Sequence, residues 1–326
     1  MYDIITIGSA TRDVFVKSTA FETHENLKEP SRLDGCFPLG EKIELENVIF
    51  ETGGGSTNAA VTFSRLGYRT ATITAVGNDV NGTEIFSVLK KEKIATSFIQ
   101  KIPKEQTAFS IIIVAGSGER TVLVLRGASQ SISPKKIPWS KIHAKWFYIS
   151  SLGGNLDLMQ TIINHAHRSN IRIAWNPGSK ELKQGIDVLT PLIRGVDVFN
   201  LNKEEAGVLL KSPSNNLQTT IASLRPLPHH LLLVTDGQNG AYAASKDLTL
   251  HSGTIDVPRI NATGAGDAFG SGVIAGLLRK DDIAYSLAVG TQNATGVVQQ
   301  MGAKRGILHA FPSSKALQEV IITPWQ

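Results

Sequence analysis

Short apolar runs alternate with longer amphipathic stretches along this chain. Residues 4–7 form the first run, which ends abruptly in Gly8-Ser9 and reads as a buried strand entering a loop. Further runs at 71–76, 146–149, 171–175, 196–199 and 231–234 are mostly separated by helix-length segments. That alternation predicts an α/β fold with a parallel sheet covered by helices. Two stretches break it: residues 14 to about 50, and residues 107–126, where the apolar runs 109–114 and 121–125 flank Ala115-Gly116-Ser117-Gly118-Glu119 and read as a β-hairpin. Strands without intervening helices predict a small accessory sheet, a lid. No repeat or low-complexity tract divides the chain, so residues 1–326 are expected to form one main domain carrying that lid.

Composition agrees with a folded enzyme-sized domain. Hydrophobic residues make up 41% of 326 and charged residues 19%, which excludes the disordered and collagen-like classes. The net charge of +5 comes from scattered residues, the densest groups being pairs such as Lys90-Lys91 and Lys135-Lys136, so no nucleic-acid stripe is expected. Cys36 is the single cysteine, which rules out an intrachain disulfide and a cysteine metal cluster. With no basic and apolar leader and no run of 18 apolar residues, a cytoplasmic location without membrane contact is expected.

The most informative segment is Asn261-Ala262-Thr263-Gly264-Ala265-Gly266-Asp267-Ala268-Phe269, which leads into a helix. Phe269, Val273 and Leu277 recur every four residues, with Ile274 and Leu278 beside them, so one helical face should pack on the sheet. Gly264-Ala265-Gly266 then sits at the helix start. Unpaired backbone N–H groups and the helix dipole favour an anion there. Asp267 immediately beyond would repel a phosphate, yet it is well placed to take a proton from an attacking hydroxyl. The plain alternative is a tight turn followed by a first-turn acid.

This segment resembles the C-terminal signature of the ribokinase-like (PfkB) carbohydrate kinases, usually written DTxGAGDxF. The resemblance implies a three-layer αβα sandwich with a mostly parallel central sheet and a small β lid. It assigns the anion hole to Gly264, Ala265 and Gly266 and the catalytic base to Asp267. The family's leading aspartate is Asn261 here. In potassium-activated members that aspartate helps hold the cation, so potassium activation of this chain is in question.

Gly53-Gly54-Gly55-Ser56-Thr57-Asn58 opens a helix that is expected to be capped by Ser or Thr and closed by Gly67. With Thr72 to Gly82 it is similar to the family's N-terminal signature, which implies that Gly54 and Asn58 contact sugar hydroxyls while Gly77 and Asp79 shape the fold. Asp13 matches the family's sugar-gripping aspartate, although an isolated acid is otherwise a loop cap or a solvated charge. Arg126 is either a contact to an acidic or phosphorylated substrate or a solvated edge-strand arginine.

Asn202-Lys203-Glu204-Glu205 matches the family's N-x-x-E motif, which implies that Asn202 lies at the ATP phosphates and that Glu205 organises Mg²⁺, mainly through water. The alternative is a capping box, with Asn202 at the N-cap and Glu205 at N3. Thr235-Asp236-Gly237-Gln238-Asn239-Gly240 resembles the turn along ATP, nominating Thr235, Gly237 and Gly240. Asn293 is a candidate neighbour of adenine or a helix-surface residue.

The resemblance spans about residues 3–310 and implies ATP-dependent phosphorylation of a sugar or sugar-like molecule at a hydroxyl, with a primary hydroxyl the expected one. Nucleoside kinase and a noncatalytic sensor are the alternatives, and a homodimer through the lid is the assembly the family suggests. No G-x-G-x-x-G follows the first strand and no G-x-S-x-G occurs, so nicotinamide and serine-hydrolase readings lack support.

Overall fold

The computed structural model describes residues 1–28, 33–114, 120–212 and 216–325; the expected hairpin turn at 115–119, with Gly118 and Glu119 of the lid motif, lies outside them. Strand β1 (Tyr2–Ile7) enters a large sheet, and the chain crosses at once to a second sheet through β2 (Thr11–Lys17). An exposed hairpin, β3 (Glu22–Glu25) and β4 (Leu33–Cys36), follows, and β5 (Asn47–Gly53) returns antiparallel to β2. Next come α1 (Gly55–Arg65), β6 (Thr70–Ile73), β7 (Ala75–Gly77), α2 (Val80–Lys91) and β8 (Gln100–Ile102). The hairpin strands β9 (Ala108–Val114) and β10 (Arg120–Leu125) complete the second sheet.

Regular alternation then sets in: β11 (Ala144–Ile149), α3 (Leu156–Arg168), β12 (Arg172–Trp175), α4 (Ser179–Leu182), α5 (Ile186–Ile193), β13 (Val198–Asn202), α6 (Lys203–Leu210), α7 (Leu217–Leu224) and β14 (Leu231–Thr235). Strands β15 (Ala241–Ala244) and β16 (Thr249–Ser252) lead to α8 (Ala265–Arg279), α9 (Ile283–Val298), α10 (Ser314–Gln318) and β17 (Ile322–Pro324).

The large sheet has nine strands in the order β17-β16-β15-β14-β13-β12-β11-β1-β6, parallel from β14 to β6 and antiparallel at the β15–β17 edge. Its strands are apolar on both faces because both faces are covered. Ile4, Trp146, Tyr148, Val198, Leu231 and Leu233 pack with α1, α8 and α9. Their neighbours in sequence, Ile5, Phe147, Ile149, Phe199, Leu232 and Val234, pack with the helices of the opposite layer. The longer helices bury matching stripes; in α3 it is Leu158, Met159, Ile162, Ile163 and Ala166, behind an Asn155 N-cap that accepts from the Leu158 amide at 2.9 Å. Burying each such aliphatic side chain is worth about 1.5–3 kcal/mol before entropy is counted. This is the three-layer α/β architecture expected.

Residues 71–76 are not one strand. Pairing of β6 with β1 ends at Ile73 opposite Ile7, where β1 runs out, and the chain turns at Thr74 so that β7 pairs with β8 instead. The second sheet, β10-β9-β2-β5, begins at Thr11 and ends at Gly53, so it includes Asp13 and runs directly into α1. Asp79 caps α2 by accepting from the Gly82 amide at 2.8 Å and ties it to the Thr107 amide at 2.7 Å, the fold-shaping role expected of it. Among the described residues no helix is long and apolar enough to cross a membrane.

Candidate active site

The start of α8 is built around one left-handed residue. Gly264 has φ 83°, and a Cβ there would lie 2.5 Å from the Ala303 methyl, so backbone conformation and contact both demand glycine. Its conformation swings the first helical turn open. Ala265 N donates to Ala262 O in a 3.2 Å turn bond, which leaves the following first-turn N–H groups without helical acceptors. A Cβ on Gly266 would meet no atom within 4 Å, and Ala265 and Gly266 both border a cavity of about 660 Å³.

Asp267 is the next residue. Its Oδ2 accepts from Asn58 Nδ2 at 2.8 Å, joining α8 to α1 across the chain. Burial pushes its carboxyl above the ordinary aspartate range; the Asn58 bond and the Lys304 cation oppose that rise, and the nearby Asp13 carboxylate adds to it. Removal from water thus makes this carboxylate a stronger proton acceptor than a surface aspartate.

Asn58 reaches that position because of how α1 begins. The helix is not capped by Ser or Thr: the N-cap is Gly54, at φ 95°, with no side-chain bond. A Cβ on Gly54 would lie 2.5 Å from Ser9 O, so the loop after β1 approaches too closely for a capping side chain. The hydroxyls expected to cap turn elsewhere, Ser56 Oγ to Ser9 O at 2.9 Å and Thr57 Oγ1 to Gly53 O at 2.7 Å. Gly67, at φ 90°, does follow the helix end as expected.

Asp13, on β2, is 7% exposed. Thr11 Oγ1 donates to its Oδ1 at 2.9 Å, and Ser110 on β9, its register partner, donates to it as well. Burial raises its pKa against the hydrogen bonds of Thr11 and Ser110 and the charges of Lys304 and Arg12. Gly53 faces this carboxylate so closely that a Cβ would sit 1.8 Å from Asp13 Oδ2.

On the other side of Gly266 the cavity is bordered by Asn202, Thr235, Gly237 and Gly240, together with Ala262, Thr291 and Thr295. Asp236 N donates to Gly240 O at 2.8 Å, folding that turn over the end of β14. Four of the expected nucleotide residues are therefore on one wall. Glu205 is not: Glu204 borders the cavity, whereas Glu205 forms the capping box, its Oε2 accepting from Asn202 N at 2.9 Å while Glu205 N donates to Asn202 Oδ1 at 2.7 Å. Burial raises the Glu205 pKa, the Asn202 amide opposes this, and the charge of Asp267 adds to it.

No group of three or more His, Cys, Asp or Glu able to hold a metal exists among the described residues. Asn202 on the cavity wall and Glu205 behind it, paired in the capping box, offer one amide oxygen and one carboxylate, few donors that suit a hard cation keeping its waters and its phosphate ligands. Asn261 is buried with its Oδ1 accepting from Thr263 N at 2.8 Å and its Nδ2 toward Met301 Sδ at 3.3 Å. Its only oxygen is engaged and uncharged, which gives a monovalent cation less than an aspartate would.

Asn293 is neither on a helix surface nor beside the cavity. Fully buried, it donates to Ala268 O at 2.8 Å and Thr62 Oγ1 at 3.1 Å and accepts from Leu308 N at 3.0 Å. Gly272 and Gly290 bring α8 and α9 so close that this face of α9 becomes interior. Arg126 is exposed, and its carbonyl accepts from Ser129 Oγ at 2.6 Å.

The chain matches the pfkB family carbohydrate kinase model over residues 4–310. It belongs to that family. Similar proteins include the ribokinase of Staphylococcus aureus, 26% identical over 322 residues covering 93% of this chain and 96% of that one. The ribokinase of Bacillus subtilis is 25% identical over 327 residues, 98% and 100% of the two chains. Among solved structures, a putative ribokinase II from E. coli superposes with TM-score 0.78 at 19% identity, covering 94% and 96%. The Burkholderia thailandensis nucleoside kinase in complex with inosine gives 0.76 at 15%, covering 96% and 94%. As a pfkB-family member this chain is a kinase of a sugar or nucleoside that uses ATP.

Sequence reasoning missed two residues beside this candidate site, Ser110 and Lys304, and gave Gly53, the first residue of the glycine loop, no role of its own. Lys304 is 5% exposed, and its ammonium donates to Thr52 O, to Thr57 Oγ1 at 3.0 Å and to Asn58 Oδ1 at 2.7 Å. The only signal for it was a charge set directly after Met301-Gly302-Ala303.

Proposed function

We propose that this pfkB-family kinase transfers the γ-phosphoryl group of ATP to a hydroxyl, most simply a primary one, of a sugar or sugar-like molecule, with Asp267 as general base. The observation that carries this is the junction at Asp267: one carboxylate oxygen is held by Asn58 from the acceptor side, and the adjoining residue Gly266 borders the nucleotide cavity. An acceptor hydroxyl lying between them meets the base on one side and the phosphoryl group on the other.

In this reading Asp13 and Asn58 orient the acceptor, Asp13 through the oxygen that faces Gly53. Asp267 takes the hydroxyl proton as its oxygen attacks phosphorus. The Gly264-Ala265-Gly266 turn offers N–H groups to the charge on the transferring phosphoryl, and ADP leaves along Thr235, Gly237 and Gly240. Asn202 and Glu205 would hold Mg²⁺ through its water shell, where it supplies neutralisation of phosphate charge. The β10-β9-β2-β5 sheet, which carries Asp13 on β2, serves as the lid in this reading. No potassium step enters. A cytoplasmic setting completes the reading, consistent with the exposed free thiol of Cys36.

The deciding experiment is ADP release from Mg-ATP against pentoses, hexoses, sugar acids, sugar phosphates and nucleosides. Turnover with a sugar is expected; turnover with nucleosides alone would replace the sugar reading, and none at all despite ATP binding would leave a sensor. A homodimer through the lid is proposed as well, supported by the exposed Val122, Leu123, Val124 and Leu125 on the edge strand β10. Light scattering at micromolar protein should give twice the chain mass, and a monomer would exclude it.

A further inference from the structure

Lys304 has no place in the chemistry above, yet it is a charged side chain buried among the residues that perform it. An ammonium has three N–H donors. Here all three are used, on Thr52 O, Thr57 Oγ1 and Asn58 Oδ1. None is left for a substrate, so Lys304 cannot be read as an acceptor-binding cation. What it does touch is the amide that touches the base.

The two ends of an asparagine amide are nearly equal in shape, and only hydrogen bonding tells them apart. As an ammonium Lys304 donates and never accepts, so it admits only Oδ1. That leaves Nδ2 for Asp267 Oδ2, at 2.8 Å. The series ammonium, amide, carboxylate then runs in one direction and is strongest when Asp267 is ionised, because a carboxylate accepts a hydrogen bond more strongly than the carbonyl of a neutral acid. The competing arrangement, with the amide reversed and Oδ1 toward Asp267, requires a protonated Asp267 as donor, a carboxylic acid that is no base. Reversal would also set Nδ2 against the ammonium, donor against donor.

We propose that Lys304 is a positioning residue of the phosphoryl-transfer site, its buried ammonium locking Asn58 in the orientation that keeps Asp267 deprotonated. This rests on Asp267 being the base, as proposed above. The charges around the group support it. Lys304 faces Asp13 from β2, Glu51 from β5, Glu92 after α2 and Asp267 from α8. Glu51 has its own partner in Arg305 at 2.5 Å, and Glu92 has Arg65 at 2.6 Å. Among the described residues Asp13 and Asp267 have no ion pair of their own, and Lys304 lowers the pKa of both; Arg12 also acts on Asp13, while Tyr148 and Glu205 are the other titratable groups that sense Asp267. Burial pulls the ammonium down to about 8, against the pull of those carboxylates, so the fold maintains this cation against its own desolvation.

The test is kcat against pH, from 5.5 to 9.5, for the wild type, Lys304→Met and Lys304→Gln, with thermal melts beside it. Methionine keeps length and loses donor and charge; glutamine keeps a donor and loses the charge. In Lys304→Met the acid limb of kcat is expected to move up by about one pH unit or more, a tenfold loss on that limb, with recovery toward wild type near pH 9. Lys304→Gln should show a smaller shift, and it carries the test if the methionine variant does not fold. A uniform loss at every pH, a rise in acceptor KM with kcat intact, or no change would each overturn the proposal. If the wild type itself turns over no acceptor, the base reading has failed instead. The inference is then read without turnover, from the Asp267 carboxyl titration by ¹³C NMR in aspartate-labelled wild type and Lys304→Met: an upward shift supports it and an unmoved titration overturns it.

Discussion

Asp267→Asn should lower kcat by about a thousandfold while leaving ATP affinity, acceptor KM and the melting temperature essentially in place. Asparagine is isosteric with aspartate, and its Oδ1 still accepts from Asn58 Nδ2, so the bond between α1 and α8 survives. What disappears is the ability to take a proton. Stability follows the opposite sign from activity. The pKa of Asp267 is raised by burial, so between its unfolded value of 3.8 and its folded value the native chain holds more protons than the unfolded one. Stability contributed by this group therefore falls as pH rises through that window, and a neutral asparagine removes the cost. At pH 8 the variant should melt no lower than the wild type. Steady-state kinetics on the acceptor found in the ADP-release panel check the claim, and a variant keeping more than about a tenth of wild-type kcat would remove Asp267 from the base role.

The parts of this molecule that could be read in advance are those whose logic is local. Strands such as β1 and β14 are apolar along their length because they are covered on both sides, and the stripe Phe269, Val273, Leu277 announces α8 whatever it packs on. Asn202 and Glu205 illustrate a spacing with two meanings: the capping box is made as the alternative reading had it, and Asn202 lies on the wall of the cavity beside Gly266. What was missed is tertiary. Asn293 is interior only because glycines on two helices let α8 and α9 approach, and the break at Thr74 depends on where β1, far away in sequence, happens to end. Lys304 meets Asn58 across 246 positions of chain, a separation over which no periodicity carries information. The cap of α1 failed for a related reason, since the side chains that ordinarily cap were excluded by the Ser9 carbonyl.

Gly53 stands in the glycine loop read from the sequence, but its contact with Asp13 does not show there, and its replacement carries the second large expected effect. Gly53→Ala should raise acceptor KM by about a hundredfold, roughly the 2–3 kcal/mol of a lost charge-assisted contact, while ATP affinity stays unchanged. Its backbone is not left-handed, unlike that of Gly54, so alanine meets no conformational barrier there. The obstacle is contact: the new methyl would lie 1.8 Å from Asp13 Oδ2 and 2.8 Å from Thr11 Oγ1. Asp13 is short and tethered at Oδ1 by Thr11, so it yields by rotating its free oxygen away from the acceptor, and the lost grip falls on binding rather than on proton transfer. The wall from Thr235 to Gly240 that is proposed to hold the nucleotide lies in other elements and is untouched. A double-mutant cycle isolates the cause. If displacement of Asp13 is the whole effect, Gly53→Ala in an Asp13→Ala background should add nothing, because the side chain it disturbs is gone. Additive losses would mean that the methyl obstructs the acceptor directly, and that Gly53 lines the acceptor pocket instead of making room for Asp13.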